Sequence, residues 1–123
     1  MGFGVLDRLA IEHLFRYEAA RAASDDRALV FAVIELRRTG DQLATRCGTV
    51  IAGTLGPHDL IGHWGDGLVV IFHDADLAQA RALLERAFAR VHDLVGLWPA
   101  AVVRVVREHP ISRTAIVAIA ELA

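Results

Sequence analysis

The chain contains no lysine; all 13 of its basic residues are arginine. No ammonium group is therefore on hand to hold a phosphate as a point charge or to form a Schiff base with a carbonyl. Its one cysteine, Cys47, has no second thiol for an internal disulfide. No apolar run approaches the roughly 20 residues that span a bilayer. The N-terminus lacks the basic head, apolar stretch and small-residue cleavage site of a secretory signal. Aromatic residues are few, and no strand concentrates them as an RNA-binding sheet does. Charge of one sign is also missing: 13 basic against 15 acidic residues leave a net charge of -2, too little to attract nucleic acid or an anionic membrane. These absences lead us to expect a cytoplasmic protein with no nucleic-acid partner, no membrane partner and no cofactor.

Apolar side chains are what the sequence has in excess. They make up 54% of the residues, above the usual share of about 45 to 50%, so either a sheet is covered on both faces or some surface serves association. A homodimer is the corresponding expectation. The 123 residues suffice for one domain, 1–123, with one core and at most one site.

Periodicity lays out the order of elements. Leu6, Leu9, Ala10, His13, Leu14 and Tyr17 fall at helical spacing and predict an amphipathic helix over residues 6–23. Residues 28–36 are continuously apolar up to Glu35 and rich in β-branched side chains, as a strand buried on both faces requires. Asp41 is placed to cap a second helix with the stripe Leu43, Cys47, Val50, Ile51 and Leu55, although Gly48 and Gly53 each weaken it by about 1 kcal/mol. Two strands, 60–64 and 68–72, flank the tight turn Gly65-Asp66-Gly67. A long helix follows over 76–95, capped by Asp74 or Asp76 and stopped at Gly96. Pro99 opens a fourth strand, and residues 112–123 stay between helix and strand, with helix favoured. Strand, helix, strand, strand, helix, strand is the ferredoxin-like α+β order, an antiparallel sheet with two helices on one face. Its other face needs the leading helix, the closing segment or a second subunit.

Chemistry concentrates at the hairpin. Two divalent ions bridging a triphosphate need carboxylates from the end of the first strand and from the turn, and Glu35 with Asp66 are the candidates. Asp-Gly is also favoured turn chemistry, which gives Asp66 a purely conformational reason to be there. His58, His63 and His73 lie on or near the hairpin but lack the spacing of a dedicated zinc site. His73-Asp74 is explained by helix capping as readily as by hydrolysis, since neither Ser112 nor Cys47 is placed as a nucleophile. Arg37 and Arg38 could receive a phosphate; Arg81, Arg86 and Arg90 read as a solvated helix face. Trp64 and Trp98 read as core or interface anchors.

The stretch 58–80, HDLIGHWGDGLVVIFHDADLAQA, resembles the GGDEF domains, whose fold condenses two GTP into cyclic di-GMP. Gly40-Asp41 with Leu43 is similar to that family's Gly-Asp helix start, 29–36 to its metal-bearing strand and 6–22 to its leading helix. The resemblance implies a nucleotidyl-cyclase-like fold and, if any nucleotide site persists, Gly65, Asp66, Gly67 and Asp41 as its vestige, with Glu35 and Asp66 as vestigial metal ligands. It also implies lost catalysis. Trp64-Gly65-Asp66-Gly67-Leu68 stands where the family has its signature, Val33 stands at its metal aspartate, and Gly56-Pro57-His58-Asp59 stands at its inhibitory RxxD motif without the arginine. The family's lysine-bearing terminal segment has no counterpart. The Gly-Asp-Gly hairpin is similar to that of class III cyclases too, which also need the first-strand aspartate. A degenerate, non-catalytic GGDEF-like regulatory or protein-interaction domain is the leading expectation. A weak sensor of GTP or cyclic dinucleotide and a ferredoxin-like assembly domain unrelated to nucleotides are the alternatives.

Overall fold

An uninterrupted apolar strand has to be covered on both faces, and the middle of this sheet is such a strand. The computed structural model describes residues 4–25, 27–36, 40–73 and 75–106. Along the chain run α1 (Arg8–Ser24), β1 (Leu29–Glu35), α2 (Gly40–Ala52), β2 (Leu60–Trp64), β3 (Gly67–Phe72), α3 (Leu77–Val95) and β4 (Ala100–Val106). The sheet order is β2-β3-β1-β4, antiparallel at every step, which is the ferredoxin-like arrangement expected. Arg37, Arg38, Asp74 and the segment 112–123 lie outside the described residues.

Alternation along β1 feeds two cores. Val30, Ala32 and Ile34 face α2 and α3, where they meet Cys47, Ile51, Leu84 and Val91. Leu29, Phe31 and Val33 face α1, together with Val69 and Ile71 of β3. The leading helix is thus the cover of the second face, reaching over β1, β2 and β3.

It covers that face with a different stripe from the one expected. Ile11, Phe15, Ala19 and Ala22 are buried, whereas Leu9 is 79% and Tyr17 56% exposed. Both sides of α1 carry apolar residues, so periodicity alone selects no face. Packing decides it. The Phe15 ring stands edge-on to Phe31 at 4.8 Å and lies 6.1 Å from Trp64. Ile11 sits so close over Gly62 that a Cβ there would fall 2.5 Å from the Ile11 Cβ. Tyr17 stays outside with the Arg21 guanidinium over its ring.

Just before α1, Leu6 runs parallel to β2 beside Gly62, donating its N–H to Ile61 O and accepting the N–H of His63, both at 2.9 Å. Val5, on the other side of that segment, fills the space left by the absent side chain of Gly48. Gly48 is therefore a close-packing position, and Gly53 lies beyond the end of α2.

α3 follows its sequence signals. Asp76 and Gln79 form a reciprocal capping box, and Gly96 closes the helix in the left-handed region at φ 87. Among the described residues no helix is long and apolar enough to cross a membrane.

Candidate functional site

The C-terminal end of β1, the start of α2, the β2–β3 turn and the start of β4 share one end of the sheet. Trp64 pairs with Gly67, so the hairpin loop consists of Gly65 and Asp66 alone. Gly65 adopts φ 55, the positive value that a primed hairpin turn needs at its first central residue. This corrects the Asp-Gly reading of the turn: the central pair is Gly-Asp, and Gly67 is the first residue of β3. Gly67 has a separate reason to be glycine, because a Cβ on it would collide with the main-chain oxygen of Ile34. Asp66 projects from the loop and is exposed.

Of the residues singled out from sequence, the fold brings Asp41 and the turn together through one side chain that sequence reasoning missed. Arg8 donates from Nη1 to Asp41 Oδ2 at 3.2 Å and from Nη2 to Asp41 Oδ1 at 3.0 Å. The same guanidinium donates to the Gly65 carbonyl from Nη2 at 2.7 Å and from Nε at 3.1 Å. Asp41 does not cap α2 as expected. It lies within the first turn, after Gly40, with its carboxylate turned to Arg8. That hydrogen bond holds the Asp41 carboxyl below the ordinary carboxylate range and raises the already high pKa of Arg8, to which the charge of Asp66 adds. One local feature sets Arg8 apart without pointing to its partners. It follows the N-cap Asp7, so a cation occupies the end of the helix whose dipole disfavours it.

The next turn of α2 is tied to the hairpin from below. Thr45 Oγ1 donates to Asp41 O at 2.8 Å, which commits its hydrogen; its oxygen then accepts from His63 Nε2 at 2.9 Å. With that hydrogen on Asp41 O, His63 donates from Nε2, and its buried Nδ1 meets no partner among the described residues.

Glu35 ends β1 and is exposed, opposite Ala100 of β4. With Ile34 paired to Leu68, Glu35 arrives beside Gly67, at the sheet end that carries Asp66. Among the described residues no three His, Cys, Asp or Glu side chains converge to hold a metal ion. Cys47 is buried in the α2 core, and burial pushes its thiol pKa up.

His58, Asp59 and His73 lie at the other end. Asp59 accepts the N–H of Gly56 at Oδ2 and the N–H of His73 at Oδ1, both at 2.8 Å, and so ties the α2–β2 loop to the end of β3. The His58 and His73 rings stand 5.4 Å apart. With Asp59, Gln79 and Arg86 they line a cleft of about 500 Å³. Arg81, Arg86 and Arg90 are exposed on α3, as expected. Trp64 is half-buried against α1, while Trp98 is 63% exposed and stacked on His92 at 4.4 Å.

No family model matches the chain, and no curated protein matches it in sequence. Its structure is similar to diguanylate cyclase domains. The diguanylate cyclase SiaD of Pseudomonas aeruginosa, solved with its activator SiaC, superposes with a TM-score of 0.75 at 23% identity, over 95% of this chain and 52% of that one. The chain thus spans about half of that cyclase. The GGDEF domain of YfiN (TpbB) from the same organism gives 0.75 at 18% identity, over 97% of this chain and 87% of that one. A microbial GGDEF domain solved with cyclic di-GMP gives 0.74 at 22% identity, over 97% and 84%. This chain has the GGDEF fold.

Proposed function

We propose that the chain is a non-catalytic, GGDEF-like regulatory or protein-interaction domain of bacterial signalling, cytoplasmic, without a cofactor and able to self-associate. The hairpin turn carries this reading. Its loop is two residues long and presents one carboxylate, Asp66, where the signature it resembles has an acidic pair. The position of the first-strand aspartate is held by Val33, buried among the side chains that α1 covers. Condensing two nucleoside triphosphates requires their charge to be compensated by well-held divalent ions. Glu35 and Asp66 are the other carboxylates that the described residues bring to this end, and Asp41 is engaged by Arg8. Trp98 and Leu94, both largely exposed beside the start of β4, supply apolar surface for a protein partner. The Pseudomonas cyclase, of which this fold makes up about half, was solved in complex with an activator. Incubating the purified chain with GTP and Mg²⁺ should give no cyclic di-GMP, and its appearance in the product mixture would overturn the reading.

A second reading, a weak sensor of GTP or a cyclic dinucleotide, is favoured by the cleft between His58, His73 and Arg86, where three basic side chains line one recess. Calorimetry with cyclic di-GMP separates the two. Heat that disappears in Arg86→Ala supports the sensor, and no heat at high ligand concentration removes it.

A further inference from the structure

We propose that the outer edge of β4 is the surface through which two copies of this chain join, strand against strand, into one continuous sheet. The inference rests on the reading that the chain self-associates, and it names the face that does so. β4 ends the strand order and pairs with β1 alone, in an unbroken antiparallel register from Ala100 to Val106. In such a ladder alternate residues turn their N–H and C=O groups away from the partner. Among the described residues no strand meets that outward row. Sheets ordinarily blunt an edge of this kind with lysine, proline, a bulge or a very short strand. β4 has seven residues, AAVVRVV, whose one charge is Arg104. The opposite edge, β2, is already engaged by Leu6.

The strand fits a second copy of itself in one register. A two-fold axis normal to the sheet keeps like faces together, so opposed residues must be both odd or both even in number. Centring the pair on Val103 uses all seven residues. Centring it on Arg104 would oppose two guanidinium groups. Centring it on Val102 would draw Pro99, which has no N–H, into the ladder. The Val103 register sets Val105 of each copy against Ala101 of the other. Beside Ala101 lies a recess of about 330 Å³ between β4 and α3, floored by Leu84 and Phe88. Ala101 to Arg104 all line it, so it opens onto the strand edge and not onto one face alone. Val105, 37% exposed, is the side chain that enters it. On the opposite face, Arg104 stands across from Phe31 and Ala100 across from Glu35. With strands about 4.8 Å apart and a rise of about 3.4 Å per residue, the Cα atoms of Arg104 and of Glu35 in the other copy fall roughly 12 Å apart. Extended arginine and glutamate side chains span that gap, and the symmetry makes the charge pair twice.

The test measures the mass of the full chain by sedimentation equilibrium over a range of concentrations and then traps the contact. Opposed residues of an antiparallel pair have Cα atoms about 4.5 to 5.5 Å apart, within the span of a disulfide. Val103→Cys should therefore give a disulfide-linked dimer on mild oxidation. Val105→Cys alone should not, whereas Val105→Cys mixed with Ala101→Cys should give the mixed dimer. The native Cys47 is buried, and the unaltered chain is the control. Arg104→Glu and Glu35→Arg should each weaken the dimer about tenfold, and the two together should recover most of the loss. Both residues are exposed, so these variants keep the fold. A dimer that cross-links as well through Val105→Cys alone, or that ignores both charge reversals, overturns the proposal and leaves self-association standing. A chain that stays monomeric at every concentration, as it would if its own residues after Val106 filled the edge, overturns both.

Discussion

Two aspartates show how differently the same side chain is employed here. Asp59 uses both oxygens on main-chain N–H groups, one in the α2–β2 loop and one just past β3. Replacing it with alanine leaves two donors to find water, and we expect a loss of about 2 kcal/mol in urea unfolding. Asparagine, which keeps one acceptor, should lose less. Asp41 faces solvent and holds Arg8. Its pKa is lowered on folding, so its contribution to stability is present above the unfolded value and is lost as pH falls through the lowered folded one. Arg8 stays protonated throughout. The expected result is that the Arg8 Nε–H resonance broadens or shifts as acid titrates Asp41, while staying constant across neutral pH. Added salt should move it in the same direction.

At the scale of elements, α1 is the cover whose removal exposes the back of the sheet. Phe15→Ala takes away the ring that fills the space between Phe31 and Trp64, and a cost of about 3 to 5 kcal/mol is expected. Trp64 emission should shift to longer wavelength in that variant, against a constant contribution from the exposed Trp98. The helix was foreseeable from its apolar content, but the face it buries was not. Leu9 and Tyr17 look as good as Ile11 and Phe15 on a helical wheel, and the choice is made by the notch at Gly62 and the ring of Phe31, both distant in sequence. In contrast, α3 was legible to its ends, because its stripe, capping box and terminal glycine are local and agree with one another.

For the molecule as a whole, the order of elements sufficed to predict the topology, since consecutive antiparallel strands with two intervening helices leave few ways to build one sheet. The candidate site was legible in part. Asp41, Asp66 and Glu35 are carried to the same end by that topology, so their residue types in that order were informative. Arg8 was not, because it meets Asp41 and Gly65 across 33 and 57 residues of chain, and no spacing rule reaches that far. The central place of β1 has a further consequence, for the timing of assembly. β1 precedes both of its sheet neighbours in the chain, β3 and β4, so on a ribosome its apolar side chains wait for both. No nascent chain that stops short of β4 completes the sheet, and refolding of the whole protein should be slower than that of a local helical bundle, in the millisecond-to-second range when followed by Trp64 fluorescence. A cell producing this chain must keep an unpaired hydrophobic strand from meeting another until translation has passed residue 106.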